Sequence, residues 1–168
     1  MAKSGDYIDA LALLTEQHGE LDALFELLGR KRRNRQEVFV ELADKLAAHA
    51  AIEEKLFYPR IMSSETTERL REAVQDHLGI KRVLADMLTM DLGSIEFDAR
   101  LAALKAHVSH HAHEEEEARL FPLVREALTA AELGALGNEL SVMFEHLMAV
   151  EPRKQVPNET AAAAALWA

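Results

Sequence analysis

Two stretches of the sequence decide the fold: HAAIEEKLFYP at residues 49–59 and HAHEEEEARLFP at residues 111–122. Each stretch carries a histidine with a glutamate four residues after it, and each ends in an aromatic residue followed by proline. Residues four apart lie on the same face of an α-helix. Each stretch therefore predicts a helix that directs an imidazole and a carboxylate into the same space.

Apolar residues recur at helical spacing along nearly the whole chain. This periodicity predicts five helices, at about residues 8–29, 35–58, 65–90, 95–127 and 130–149. Four long helices with short connections pack as a bundle, and a fifth packs beside it. The predicted fold class is all-α: an antiparallel up-down four-helix bundle with an additional C-terminal helix.

The length of 168 residues suits a single domain. We expect this domain, the helical bundle, to occupy residues 1–150. Residues 151–168 contain two prolines and a run of five alanines, and we expect them to form a flexible C-terminal tail. The tail could also dock on a protein partner, whose identity the sequence does not indicate.

The charge balance excludes several classes of partner. The chain has 19 Lys and Arg against 29 Asp and Glu, which gives a net charge of −10. A nucleic-acid or anionic-membrane surface requires clustered cations, so we expect neither partner. The chain has no cysteine, which excludes disulfides, thiolate zinc sites and iron–sulfur clusters.

No targeting segment is visible in the sequence. Asp6 and Asp9 interrupt the apolar run that a signal peptide would need. No stretch of about 18 uncharged apolar residues is present to span a bilayer. We therefore expect a cytoplasmic protein.

Polar residues stand on the inward stripes of the four bundle helices, where leucine would be expected. They are four histidines and two glutamates: His18, His49, Glu53, His77, His111 and Glu115. A histidine on one helix, followed by a histidine and a glutamate on the next, occurs twice, so a helix pair is repeated. Unpaired carboxylates in a bundle core cost several kcal/mol each, and a bound metal removes that cost.

The number and type of these ligands favour two metal ions. Four imidazoles and two carboxylates are too many for one tetrahedral zinc, and they are too rich in nitrogen for magnesium or calcium. Two iron or manganese ions bridged by the glutamates match the count, with positions left for a bridging oxygen and an exogenous ligand. No glutamate is followed three residues later by histidine, which excludes the Glu-x-x-His motif of ferritin-like bundles.

The order His18, residues 49–59, His77 and residues 111–122 resembles the bacterial hemerythrin-like, HHE cation-binding domain over about residues 10–150. The resemblance implies a non-haem diiron centre of two iron ions with a bridging oxo or hydroxo group. The ligands that it implies are His18, His49, Glu53, His77, His111 and Glu115. One departure from the oxygen-carrying hemerythrins is Lys81, which stands where those proteins have a second histidine on the third helix.

Three functions are compatible with such a centre. The first is binding or sensing of oxygen or a related small diatomic ligand. The second is a peroxide-consuming, catalase- or peroxidase-like activity at the same irons. The third is iron storage or a regulatory, partner-binding role.

The register of the fourth helix allows three ligand pairs: His111 with Glu115, His113 with Glu117, or His111 with Glu116. We favour the first pair because it continues the apolar stripe of its helix. The third pair has the five-residue spacing of the oxygen carriers and requires a π-type bulge. His107 lies four residues before His111 and is a candidate for a fifth imidazole.

Overall fold

In a computed structural model that describes residues 8–30 and 33–166, every regular element is helical. The elements are α1 (Ala10–Gly29), α2 (Arg35–Ile52), a π-helical segment (Glu53–Phe57), α3 (Tyr58–Ile61), α4 (Thr67–Met87), α5 (Ile95–Ser109), a second π-helical segment (His110–Leu120), α6 (Phe121–Ala127), α7 (Ala130–Met148) and a 3₁₀ helix (Pro152–Glu159). α2 and α3 continue one another through the first π-helical segment, as α5 and α6 do through the second. The predicted four-helix bundle, with α7 as the additional C-terminal helix, is confirmed.

Side-chain caps set where several helices begin. Asp9 accepts a hydrogen bond from the backbone N–H of Ala12 at 2.8 Å at the start of α1. Ser94 caps α5 in the same way at 3.0 Å. Thr129 and Glu132 form a reciprocal capping box at the start of α7. Each cap satisfies backbone N–H groups that the first turn of a helix leaves without partners.

The core consists of two apolar clusters, and buried polar side chains that include His18 and His77 lie between them. One cluster includes Leu11, Leu14 and Val74, and the other includes Leu21 and Leu84. These buried polar side chains therefore lie midway along the helices and away from solvent. None of the described helices has the length and apolar character needed to cross a membrane.

The two π-helical segments lie directly before the two prolines of the motif stretches. The N–H of Tyr58 bonds to the carbonyl of Glu53, and that of Phe121 to the carbonyl of Glu116, five residues back in each case. Pro59 and Pro122 have no N–H to continue an α-helical ladder, and their rings crowd the preceding turn. One extra residue in the turn accommodates this disruption, as in π-bulges at functional sites.

The segment after residue 150, which we expected to be a flexible tail, packs against the bundle as far as residue 166. Its 3₁₀ helix lies on α2 and α4. Val156 is 1% exposed and Leu166 6% exposed, so both bury apolar surface in the core clusters. The backbone N–H and guanidinium of Arg153 bond to the buried carboxylate of Asp44 at 3.0 and 2.7 Å. Residues 167 and 168 lie outside the described part of the chain.

We expect Arg153→Ala to lower the free energy of unfolding by about 1–3 kcal/mol, because Asp44 would lose its guanidinium partner in a buried position. Urea denaturation of the metal-free protein measures this change. Lys154→Ala is the matched control, since Lys154 pairs with the exposed Glu151, and it should change stability by less than about 0.5 kcal/mol. Equal effects of the two substitutions would contradict a docked segment.

Candidate metal centre

Six buried side chains from the four bundle helices converge midway along the bundle. They are at most 4% exposed and comprise His18, His49, Glu53, His77, His111 and Glu116. Two groups within this cluster have ligand atoms close enough to hold a metal ion. We call them the His18 half, with the imidazoles of His18 and His49, and the His77 half, with those of His77 and His111.

The Glu53 carboxylate lies between the two halves. Its Oε1 is 3.0 Å from Nε2 of His49, and its Oε2 is 3.1 Å from Nε2 of His77. Glu116 has the same arrangement, with Oε2 3.1 Å from Nε2 of His18 and Oε1 3.6 Å from Nε2 of His111. The His18 half thus groups two imidazole nitrogens with an oxygen of each carboxylate. The His77 half groups two imidazole nitrogens with an oxygen of Glu53.

Several of the nitrogen and oxygen atoms that could bind a metal lie close together without forming hydrogen bonds. Nε2 of His18, Oε1 of Glu53 and Oε2 of Glu116 are buried and have no hydrogen-bond partner among the described residues, although they lie close to other polar atoms. Such an arrangement is costly in a protein interior unless a cation occupies the common point at which the lone pairs meet. Imidazole nitrogens and carboxylate oxygens together suit iron and similar transition metals. The residues present thus fit a two-metal centre.

Each cluster histidine has a polar partner on its other ring nitrogen. Nδ1 of His18 lies 2.6 Å from Glu117, and that of His49 lies 2.7 Å from Gln17. Nδ1 of His77 lies 2.9 Å from Glu54, and that of His111 lies 3.2 Å from Asp76. An Nδ1–H that donates to these oxygens leaves Nε2 unprotonated and facing the cluster, the tautomer that a metal requires.

The structure places Glu116, and not Glu115, in the cluster, so the favoured register of the fourth helix is wrong. Glu115 points toward the surface, where its carboxylate pairs with Arg119 at 2.8 Å. The cause is the π-helical segment at residues 110–120, which adds one residue to the turn after His111. Regular α-helical spacing counted from His111 therefore predicts Glu115, whereas the extra residue of the π-helical turn brings Glu116 to the inner face. The other five predicted residues are brought together as expected.

The remaining histidines of the fourth helix lie outside the cluster. His107 is about one third exposed, with Nε2 3.7 Å from Asp76. His113 pairs with Asp22 at 2.8 Å and with Glu117 at 3.1 Å. His110 is exposed and pairs with Glu114 at 3.0 Å. His107 therefore does not supply a fifth imidazole.

Carboxylates control the protonation of the cluster when no metal is bound. Burial lowers the pKa of His18, but the adjacent carboxylate of Glu116 and the charge of Glu53 outweigh burial and raise it to about 9. His77 has its pKa raised to about 10, because Glu53 and Glu54 likewise outweigh burial. Protons and metal ions therefore compete for the same ring nitrogens.

Comparison with known proteins supports this interpretation of the cluster. The family model of the hemerythrin HHE cation binding domain matches residues 9–124, a range that contains all six side chains. The chain belongs to this family. The resemblance inferred from the motif order is thereby confirmed.

Two relatives of this HHE-domain chain differ in what they show. A crystal structure of a hemerythrin HHE cation binding domain-containing protein from Mycobacterium kansasii has a TM-score of 0.76 and 24% identity, and it matches 94% of this chain and 97% of its own. It shows the same fold. A DNA nickase of Nostoc sp. is 29% identical over 115 residues, or 67% of this chain. The match spans only 32% of that relative's length.

Tyr58 is a further member of the buried cluster, one that the sequence pattern of histidines and glutamates does not include. Its side chain is fully buried, and its hydroxyl donates to Oε1 of Glu116 at 2.6 Å and lies 3.2 Å from Oε2 of Glu53. The same hydroxyl is 3.3 Å from Nε2 of His77. Burial, together with the charges of Glu116 and Glu53, raises its pKa well above the usual value. Its position directly before the motif proline is the signal that could have revealed it.

Lys81 stands where the oxygen-carrying hemerythrins have a second histidine on the third helix. It acts on the cluster indirectly, through Glu54. Its ammonium group lies 2.9 Å from Glu54, which in turn holds His77. We expect Lys81→Met to weaken metal binding by about 10-fold or more, because the buried Glu54 carboxylate would lose the ammonium group that neutralises it while it holds His77. Metal retention against a competing chelator measures this effect. Lys45→Met is the control, since Lys45 pairs with Glu20 and Glu41 away from the cluster; an equal loss there would contradict the prediction.

Proposed function

We propose that this protein holds two iron ions in the cluster and binds dioxygen or a related small ligand there. One observation carries the proposal: Glu53 and Glu116 each divide their two oxygens between two pairs of imidazoles. Bridging carboxylates of this kind are typical of a dinuclear site in a helical bundle. Ferrous iron held by these residues would supply electrons to a bound diatomic molecule.

The surrounding side chains limit what can reach the cluster. A closed cavity of about 10 Å³ lies against the four histidines, which is room for roughly one water-sized molecule. Its other walls are mainly aliphatic and include Leu21, Leu46, Ile80 and Val108. These four residues lie one helical turn from the four histidines and keep the imidazole layer out of bulk water. Only a ligand of a few atoms could be accommodated here with small shifts of these side chains, and larger substrates would not fit.

Peroxide consumption is the second candidate function at the same site. It is favoured by the hydroxyl of Tyr58, which lies 2.6 Å from Glu116. Reduction of peroxide to two water molecules takes two protons and two electrons. Two ferrous ions held by these residues would supply the electrons on becoming ferric, and the Tyr58 hydroxyl would pass on a proton within the cluster. The phenol would have to recover its proton through hydrogen bonds, since burial keeps bulk water away.

The DNA nickase relative does not lead us to propose a DNA substrate. The similar region is about a third of that protein. The present chain carries a net charge of −10, which opposes contact with a phosphate backbone. The buried cluster is also too enclosed to admit a nucleotide.

Two measurements test the proposed function. Mass-spectrometric metal analysis of natively purified protein should find two irons per chain; one zinc, or no metal, would contradict the proposal. Stopped-flow absorption after mixing the reduced protein with oxygen or peroxide then separates the candidates. A stable oxygen adduct supports oxygen binding or sensing, whereas repeated turnover of peroxide supports the enzyme.

A further inference from the structure

The outer face of α7 is unusually apolar for a helix at the surface of a charged protein. Residues 130–150 contain no lysine or arginine, although 29% of the chain is charged. Val142 is 49% exposed and Val150 is 69% exposed. A solvent-facing helix normally carries charges of both signs, whereas the cores of protein interfaces are depleted of lysine and enriched in methionine. The composition of this face is that of a contact surface.

The same face is concave. A groove of about 610 Å³ runs along it, and its apolar lining consists of the two valines with Met143 and Leu147. The opposite face of α7, which includes Leu136, is already buried in the bundle core. The helix therefore has a second apolar surface that the fold of one chain does not use.

Two polar side chains of different type border the groove. Glu139 lies toward one end, in an exposed ion pair with Arg60 at 3.1 Å. His146 lies seven residues later and has no hydrogen-bond or ion-pair partner within the described part of the chain. Seven residues are about two helical turns, so both side chains lie on the same face. The groove thus carries a carboxylate toward one end and an unpaired imidazole toward the other.

This order of side chains is complementary to itself when it is reversed. In two antiparallel helices related by a two-fold axis between residues 142 and 143, residues equally far from the axis lie opposite each other. Glu139 of one copy then faces His146 of the other, and the contact occurs twice. Val142 faces Met143, also twice, so four apolar side chains meet at the axis. A parallel pair would instead place Glu139 against Glu139, which like charges disfavour.

We propose that this face of α7 binds a second copy of the chain, in an antiparallel dimer with Val142 beside the two-fold axis. The self-complementary order of charge and apolar surface is the reason for a second copy as the partner. Association removes the exposed apolar surface of the valines from water. The imidazole of His146 can donate a hydrogen bond to a carboxylate in its neutral and its protonated form. The proposal does not depend on the metal centre.

Cysteine cross-linking tests the arrangement directly, because the chain has no cysteine of its own. Val142→Cys places two thiols beside the axis, and mild oxidation should join them into a covalent dimer on a non-reducing gel. Ile95→Cys is the control, since Ile95 is 84% exposed at the start of another helix, α5. A disulfide requires Cα atoms within about 7 Å of each other. Equal cross-linking of the two variants, or none at residue 142, would overturn the proposal.

Sedimentation equilibrium of the full chain measures the affinity. The wild-type chain should have twice the mass of one copy at about 100 µM. Val142→Glu should raise the dissociation constant by about 10-fold or more, because it brings two carboxylates together in an apolar contact. Its circular dichroism should stay that of the wild type, since residue 142 is half-exposed within one chain, and Ile95→Glu should leave the constant unchanged. A monomeric wild type, or an unchanged constant in Val142→Glu, contradicts the dimer.

Two substitutions of His146 test the direction of the helices. In the antiparallel dimer residue 146 faces Glu139, so His146→Lys should lower the dissociation constant by about 5-fold and His146→Glu should raise it by about 5-fold, the effect of two exposed charge pairs. In a parallel dimer residue 146 faces itself, and both substitutions weaken association. Weakening by both would overturn the antiparallel arrangement, and no effect of either would overturn the pairing of residues 139 and 146.

Discussion

Glu116→Ala is expected to empty the metal centre, whereas Glu115→Ala should keep both irons. Glu116 is 1% exposed, and its two oxygens lie toward different halves of the cluster. Its loss removes one oxygen donor from each half at once. Substitution of residues that only support metal ligands costs about 10- to 100-fold in affinity. Loss of a bridging ligand should exceed that range.

Iron content after dialysis against a weak chelator measures this difference. Glu115→Ala is the matched control, because it removes a carboxylate from the adjacent position whose contacts are with Arg119 and His110 at the surface. A variant without Glu116 that still holds two irons, or one without Glu115 that holds none, would contradict the register seen in the structure. The metal-free forms of both variants should be compared for folding by circular dichroism.

The stability of the metal-free protein should fall as the pH rises above neutrality, while metal binding should become tighter. The nearby carboxylates raise the pKa of His18 to about 9 and that of His77 to about 10. Unfolding releases both imidazoles to a pKa of about 6.5. The ion pairs therefore contribute fully below about pH 6.5, and their contribution is lost as the pH rises through 9 to 10.

The two trends have opposite signs because a metal requires neutral imidazoles. We expect the metal-free protein to lose on the order of 5 kcal/mol of unfolding free energy between pH 6.5 and 9, about half of it from each of the two histidines. Over the same range fewer protons compete with the metal, so the difference in melting temperature between the metal-loaded and metal-free forms should widen. From the sequence alone we would expect metal binding to weaken only below about pH 6.5; the structure moves this dependence upward.

Calorimetric melting of both forms between pH 6 and 9 measures the two trends. His110→Ala is the control, because His110 is exposed and pairs with Glu114 outside the cluster. It should leave both trends unchanged, whereas His18→Gln should flatten the trend of the metal-free protein. Parallel pH dependences of the two forms would contradict competition between protons and metal.

The helices and most of the cluster could be predicted from the sequence because they depend on local spacing. Apolar residues at intervals of three and four determine which face of each helix is buried. A histidine on that face, repeated on four helices, needs a common explanation, and the motif order indicates the family. His18, His49, Glu53, His77 and His111 were found in this way.

Glu116 could not be selected by the same reasoning, since a uniform α-helical period assigns Glu115 to the inner face. The signal that distinguishes them is the distance to the proline: Glu53 and Glu116 both lie six residues before one. Proline disturbs the turn that precedes it, so counting back from Pro59 and Pro122 is more reliable here than counting forward from the histidines.

The sequence by itself determined the all-helical bundle, the internal repeat and the types of ligand, because these depend on side-chain chemistry and on residues a few positions apart. Only the tertiary structure decided which glutamate faces inward, because that depends on where the π-helical turns form. It also decided that the Tyr58 hydroxyl lies among the ligands, and that residues 152–166 pack on the bundle. These contacts join residues far apart in the chain, where spacing carries no information about distance.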